Sequence, residues 1–338
     1  MAGDLVDIEE PHALLRYLRA SGRLAPDERV TTRVLAGGVS NKTVLVERPS
    51  SQSWVIKQAL AKLRVQVDWF SDPRRIEREA LGLTWLQKLA PRGSITPLIF
   101  LDESQNLLTM AAVPEPHENW KTVLLSGHVD MSHVSQFARL LGEIHKNAHE
   151  RREEIAAIFD DRSFFESLRI EPYYEYSAQQ VPEAADFLRQ LIAQTRMRRL
   201  TLVHGDYSPK NILLHDGQLI LLDHEVIHWG DPAFDCGFAL THLLSKAHHL
   251  RSRRGAFLEA AVRFWNEYVP WSGELEAFSV RHTLACLLAR VAGRSPLEYL
   301  DDEDRRRQHR VVLQLMRQPP SRIEQLVEQF GTSLKTCP

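Results

Sequence analysis

The chain has 338 residues, 42 of them Lys or Arg against 44 Asp or Glu, and its net charge of -2 gives no broad positive field toward nucleic acid or an anionic membrane surface. Hydrophobic content of 43% and charged content of 25% is an ordinary globular balance, and the length predicts two domains or lobes. No apolar stretch approaches the ~20 residues that span a bilayer, the start Met1-Ala2-Gly3-Asp4 lacks the basic and apolar segments of a signal peptide, and Cys236, Cys286 and Cys337 form no CxxC pair, so a cytoplasmic protein is expected.

Residues 30 to 58, rich in Val and Thr with Gly and Ser turns, read as strands. Between two of these runs lies Leu35-Ala36-Gly37-Gly38-Val39-Ser40-Asn41-Lys42-Thr43. It is either an ordinary hairpin turn or a flexible loop whose backbone N–H groups approach phosphates, which glycines permit. A Walker A loop is excluded: Asn41 stands where that motif needs Gly, and Val44-Leu45-Val46 continues as strand rather than helix. Lys57 ends the apolar run Trp54-Val55-Ile56, and residues 73 to 90 read as a helix through Ile76, Leu81, Leu83, Trp85, Leu86 and Leu89. That helix carries Glu77 and Glu79, which point about 200° apart, so only one can face Lys57; Glu79 is the expected partner. Pro97-Leu98-Ile99-Phe100-Leu101 and Leu107-Leu108-Thr109-Met110 read as two further strands. After Pro114 and Pro116 the pattern turns helical, over 118 to 198 and 235 to 332. An α+β chain is expected, with a β-rich part at 1–113 and a mainly helical part at 114–338.

The helical part is interrupted by the most informative segment. Thr201-Leu202-Val203 feeds His204-Gly205-Asp206-Tyr207-Ser208-Pro209-Lys210-Asn211, and two β-like runs follow, joined by Asp216-Gly217, a hairpin turn signal. The hairpin brings Asn211 and Asp223 to one end of two paired strands. An Asp, an Asn five residues on, and an Asp at the end of the next hairpin form the carboxylate layout of a kinase catalytic loop. Asp206 is placed to take a proton from a substrate hydroxyl; Asn211 and Asp223 are placed to hold the magnesium that neutralises ATP phosphates. Asp223 and Glu225 lie two apart on a segment read as extended, so alternation puts both on one side, where a cation separates them. His204 is expected to pack under the loop and hydrogen-bond without moving a proton. Lys210 either contacts phosphate or is solvated. Asp235, ending Gly230-Asp231-Pro232-Ala233-Phe234-Asp235, either caps the helix that follows or braces the loop by accepting its N–H groups. The basic runs at 196–199, 251–254 and 305–310 read as solvated faces rather than nucleic-acid contacts. His242, His248 and His249 share a helical stretch without an acid or Cys at metal-binding spacing.

The HGDYSPKN loop, the Asp223-His224-Glu225 triplet and the GDPAFD run resemble the aminoglycoside phosphotransferase and choline kinase superfamily, in which the loop reads HGD where protein kinases read HRD. The resemblance spans Gly37 to about Arg294. It implies a bilobal protein-kinase-like fold and ATP- and magnesium-dependent transfer of a γ-phosphoryl group to the hydroxyl of a small molecule. It implies Asp206 as catalytic base, and Asn211, Asp223 and Glu225 at the metal. Around ATP it implies Gly37, Gly38, Ser40, Asn41, Lys57 and Glu79, with Met110 and Ala112 near the boundary between the two parts. Ile56-Lys57-Gln58-Ala59, a loop bearing Trp69, then Arg75-Ile76-Glu77, together with the Asp-x-Glu pair, are similar to the methylthioribose kinase family. Arg290-Val291-Ala292-Gly293 resembles a basic segment on that family's substrate side, which implies a contact between Arg290 and a sugar-like acceptor. Two departures stand out: that family typically lacks Asn at the position of Asn211, and its paired arginine is Ala289 here. A cationic acceptor, as in aminoglycoside or choline kinases, calls instead for an acidic wall, which Asp301, Asp302, Glu303 and Asp304 could supply. A catalytically dead nucleotide-binding regulator would have lost Lys57, Asp206 or Asn211, and all are present. A protein kinase is disfavoured because no clear Ala-Pro-Glu segment follows Asp223. The expected partner is a small hydroxyl-bearing molecule, with no nucleic acid and no membrane; a homodimer is compatible with this reading.

Overall fold

The computed structural model describes residues 5–35, 40–64, 69–268 and 274–336. Two compact units divide the chain, one from Met1–Lys88 and Ile95–His117, the other from Leu89–Ser94 and Glu118–Pro338.

The first unit is built on an antiparallel sheet of β1 (Thr31–Val34), β2 (Asn41–Glu47), β3 (Trp54–Ala59), β4 (Leu98–Asp102) and β5 (Leu107–Ala111), in the order β1-β2-β3-β5-β4. Register pairs Val44 with Ile56 and Val46 with Trp54, so alternation sends these four to one face, where they meet Leu107 and Ile8. Helix α1 (Pro11–Ala20) closes that face through Leu14 and Leu18. It starts on Pro11, with the Glu10 carboxylate accepting from the N–H groups of His12 and Ala13. Lys57, next to Ile56 on β3, points to the opposite face, and α2 (Arg75–Leu89) supplies its partner.

The second unit is mainly helical. Its short strands are β6 (Glu118–Asn119), β7 (Thr201–Val203), β8 (Ile212–His215), β9 (Gln218–Leu221) and β10 (His228–Gly230). β6, β8 and β9 form one small antiparallel sheet, and β7 pairs with β10. Asp216 and Gly217, with φ of 48° and 73°, make the two-residue turn between β8 and β9. The helix Pro232–His249 is buried on every side and packs on Glu274–Ala292. Gly237 permits that approach: a Cβ there would lie 2.5 Å from the Cβ of His282. The segment Glu166–Glu175 is π-helical with Pro172 inside it, and it carries a buried arginine, Arg169, into the centre of the unit. Among the described residues no helix is long and apolar enough to cross a membrane.

Candidate active site

The first unit holds one part of the predicted constellation. Lys57 Nζ lies 2.6 Å from Glu79 Oε1, and the Glu79 side chain is fully buried. Of the two glutamates on α2, it is Glu79 that the sheet face meets. The glycines Gly37 and Gly38 lie outside the described residues. Ser40 and Asn41, which follow them, are buried; Asn41 Nδ2 donates to Ser40 Oγ at 3.2 Å, and the Ser40 carbonyl accepts from Leu60 N at 3.0 Å. Arg75 also donates to the Ser40 carbonyl, and to those of Leu60 at 2.8 Å and Ser71 at 3.3 Å. A buried guanidinium with five fixed donors thus ties the end of the glycine-bearing loop to the segment before α2, a structural role that its place in the sequence does not announce. Met110 is buried in β5, and the Ala112 N–H is committed to Ser53 O at 2.8 Å.

The second unit holds the rest. Gly205 has φ 78°, and a Cβ there would sit 2.9 Å from Val226 Cγ2, so the turn before Asp206 needs glycine on both counts. Asp235 braces this turn: its Oδ2 accepts from His204 N at 2.7 Å and its Oδ1 from Gly205 N at 2.8 Å. The cap of the following helix is a different residue, Asp231, which accepts from Ala233 N at 3.1 Å. Burial alone would push the Asp235 carboxyl up, but a hydrogen bond from His145 and the loop N–H groups hold it below its ordinary range. His204 receives the Asp206 N–H on Nδ1 at 3.2 Å, which leaves its proton on Nε2, donated to His224 Nδ1 at 3.1 Å. Burial lowers its pKa, so the ring is a neutral support for the loop.

Asp206 is buried, and three donors converge on its Oδ2: Arg169 Nη2 at 3.0 Å, Lys210 Nζ at 3.1 Å and Asn211 Nδ2 at 2.9 Å. Burial pushes this carboxyl up, yet Arg169 and Lys210 outweigh it and keep the group below its usual value. Asp206 is therefore anionic at neutral pH. Asn211 Nδ2 also donates to the Asp206 carbonyl at 2.9 Å, and its own carbonyl accepts from Leu222 N at 2.9 Å, which fixes the end of the β8–β9 hairpin against the loop. Lys210 is neither a bare surface lysine nor buried; it spans from solvent to Asp206, which raises its pKa. Arg169 carries no sequence signal. It reaches Asp206 because the π-helical turn buries it, and its Nε donates to Gly205 O at 2.7 Å.

One expectation about the carboxylate pair is corrected. Asp223 has φ 68°, a left-handed residue rather than an extended one, so strand alternation does not govern where Asp223 and Glu225 point. Both lie within the electrostatic field of Arg169. Among the described residues no three His, Cys, Asp or Glu side chains converge as a metal cage.

Arg290 is buried, and among the described residues it pairs with no glutamate. Its Nη1 donates to Ser295 O at 2.9 Å and Oγ at 3.0 Å, and its Nη2 lies 3.3 Å from His242 Nε2. The acidic run after Leu300 is consumed locally. Asp301 caps the helix Asp302–Arg317, Glu303 pairs with Arg307 at 2.7 Å, and Asp304 faces Arg251 at 3.3 Å.

A braced loop presenting an anionic Asp beside an Asn, and a strand lysine held by a helix glutamate, are the parts of a kinase-like phosphotransferase. Residues 31–275 match the phosphotransferase enzyme family, and the chain belongs to it. Methylthioribose kinase from Yersinia enterocolitica serotype O:8 / biotype 1B is 26% identical over 264 residues, covering 68% of this chain and 64% of that protein. The Cronobacter sakazakii methylthioribose kinase is 24% identical over 253 residues, covering 66% and 62%. The chain thus spans under two thirds of the length of these relatives. In structure it is similar to a choline/ethanolamine kinase family protein from Mesorhizobium loti (TM-score 0.55, 12% identity, 96% of this chain and 99% of that one). It is also similar to an amicoumacin kinase (TM-score 0.55, 13% identity, 92% and 96%). At these identities the likeness establishes the fold: α+β and protein-kinase-like.

Proposed function

We propose that this protein is an ATP- and magnesium-dependent small-molecule kinase that transfers the γ-phosphoryl group to a hydroxyl of a sugar-like acceptor, with methylthioribose as the first candidate. The observation that carries the reading is the Asp206 carboxylate, buried, held anionic, and with its donors gathered on Oδ2. The other oxygen, Oδ1, is the natural acceptor for the proton of a substrate hydroxyl. As that proton leaves, the acceptor oxygen forms a bond to the γ-phosphorus, the bond from that phosphorus to the bridging oxygen breaks, and ADP departs. Lys57, steadied by Glu79, would hold the α- and β-phosphates, with Ser40, Asn41, Met110 and Ala112 around the nucleotide. The donor set at Asn211, Asp223 and Glu225, one amide and two carboxylates, has the oxygen chemistry that would hold a hard divalent cation. Magnesium held there supplies charge neutralisation on the phosphates. Lys210 and Arg169 would stabilise charge around the transferred group while keeping Asp206 ionised.

The sugar preference rests on the relationship to methylthioribose kinases and on the state of the run at 301–304, which is occupied in capping and ion pairs. Calorimetric titration of ATP with and without magnesium tests the reading. Affinity is expected to depend on magnesium in the parent protein and to lose most of that dependence in Asp223→Ala. Lys57→Ala is expected to weaken ATP more than adenosine. Magnesium linkage unchanged in Asp223→Ala would place the metal elsewhere.

A further inference from the structure

Apart from Arg169 and Lys210 at Asp206, the second unit buries two further basic side chains that phosphoryl transfer does not by itself require. Arg290, on Glu274–Ala292, is 6% exposed, and Lys246, on Pro232–His249, is 0% exposed. Neither has a carboxylate within ion-pair distance among the described residues. Lys246 Nζ has one long hydrogen bond, 3.3 Å to the His242 carbonyl, and sits 5.5 Å from the Tyr299 ring. Arg290 is bound at both Nη atoms by neutral acceptors only, while its Nε is buried without a partner among the described residues. The buried Tyr299 hydroxyl likewise has no partner there. His242 stands between the two cations as a neutral acceptor, since burial, Arg290 and Lys246 all push its pKa down. The nearby Glu298 is exposed and bound to Lys121.

This cluster adjoins the catalytic loop. The Arg290 guanidinium lies 4.9 Å from the Tyr173 ring and 5.2 Å from the Phe238 ring, and Arg169 lies 5.8 and 5.9 Å from the same two rings. Arg169 in turn holds Asp206. The Tyr173 and Phe238 rings therefore lie near both Arg169 and Arg290, and His242 contacts Arg290 through its ring and Lys246 through its backbone carbonyl. Burying a cation without a counter-charge is unfavourable, and a second one beside it more so. A negative group joining the cluster would supply the missing counter-charge, and a positive one would be repelled.

We infer that the acceptor phosphorylated beside Asp206 carries an anionic group, a carboxylate or a phosphate, recognised by Arg290 and Lys246 with the Tyr299 hydroxyl. This rests on the kinase reading above but departs from its first candidate, because methylthioribose is uncharged: the acceptor is sugar-like in its hydroxyls and acidic elsewhere. An ammonium-bearing acceptor would add a further positive charge to the cluster.

Matched acceptors test it. ADP release is measured with gluconate, glucose and glucosamine, with glycerate, glycerol and serinol, and with glycerol 3-phosphate as the phosphate arm, all at equal concentration. In parallel, the thermal midpoint of the protein with magnesium and AMP-PNP is recorded with each compound. Anionic members are expected to turn over with kcat/KM at least about tenfold above their neutral and cationic partners and to raise the midpoint alone. Arg290→Gln and Lys246→Met are each expected to raise KM for the anionic acceptor about 10- to 100-fold with a smaller change in kcat, and Arg290→Lys to restore part of it. Preference for a neutral or cationic member overturns the inference and leaves the kinase reading standing. If no compound turns over, the midpoint decides: no shift with any anion, or a shift that survives in both charge-removing variants, overturns it. Loss of magnesium-dependent ATP binding in the parent protein, by contrast, brings down the kinase reading itself.

Discussion

At Asp206, burial and neighbouring charge pull in opposite directions, and the neighbours win because two cations and an amide meet on a single oxygen. At Lys246 the same contest ends the other way. Burial first, then Lys121 and Arg290, push its pKa down to about 7, and Glu298 only partly opposes them. His242 and Tyr299 face it as well and bring no negative charge at neutral pH. Since the folded value lies below the ordinary 10.5, this lysine favours folding above pH 10.5 and loses that contribution as pH falls through 7. Lys246→Met has no such dependence. Its stability relative to the parent should therefore rise by a few kcal/mol, on the order of several pKa units of linkage, as pH drops from 10 to 7, and then level off. Urea denaturation of both proteins across that range measures it; parallel curves would mean that Lys246 is solvated or paired in solution.

Among the elements, the short turn before Asp206 is constrained in both backbone conformation and packing. Gly205 combines φ 78° with contact against Val226, and Asp235 accepts both flanking N–H groups. Gly205→Ala should lower stability by about 2 kcal/mol or more and should displace Asp206, lowering kcat while ATP binding is retained. Wild-type turnover in a well-folded Gly205→Ala protein would contradict the rigid-turn account. Much of this region is legible in sequence because its signals are local. The Asp216-Gly217 turn, the apolar runs either side of it and the Asp206-to-Asn211 spacing need no tertiary information. The Lys57 and Glu79 pair is legible for a similar reason, since strand and helix periodicity leave one glutamate on the correct side. Three features are not legible. Arg169 depends on a π-helical turn that no periodicity reports, and Pro172 within it argues against any helix. The left-handed Asp223 breaks the alternation on which a strand argument rests. For α1, Pro11 and the apolar Leu14 and Leu18 are a helix signal, but a partner for that face exists only once the sheet has formed.

For the whole molecule, the chain divides into two compact units, and each holds its own set of the residues proposed for the chemistry. The family match over residues 31–275 spans both sets. The proposed acceptor contacts lie on the second unit's helices, where Arg290 and Lys246 both contact His242. Positions of this kind lie 44 residues apart in the sequence and form no motif. The central claim is that Asp206 promotes transfer of the γ-phosphoryl group of ATP to an acceptor hydroxyl. The most direct measurement is phosphorus-31 NMR of the purified protein with magnesium, ATP and the acceptor panel, run for the parent and for Asp206→Asn. The account predicts a new phosphomonoester resonance growing in step with ADP, with its rate on the order of 10² to 10⁴ lower in the variant while ATP binding persists. ADP accompanied only by inorganic phosphate, or an ester formed equally fast by Asp206→Asn, would contradict it.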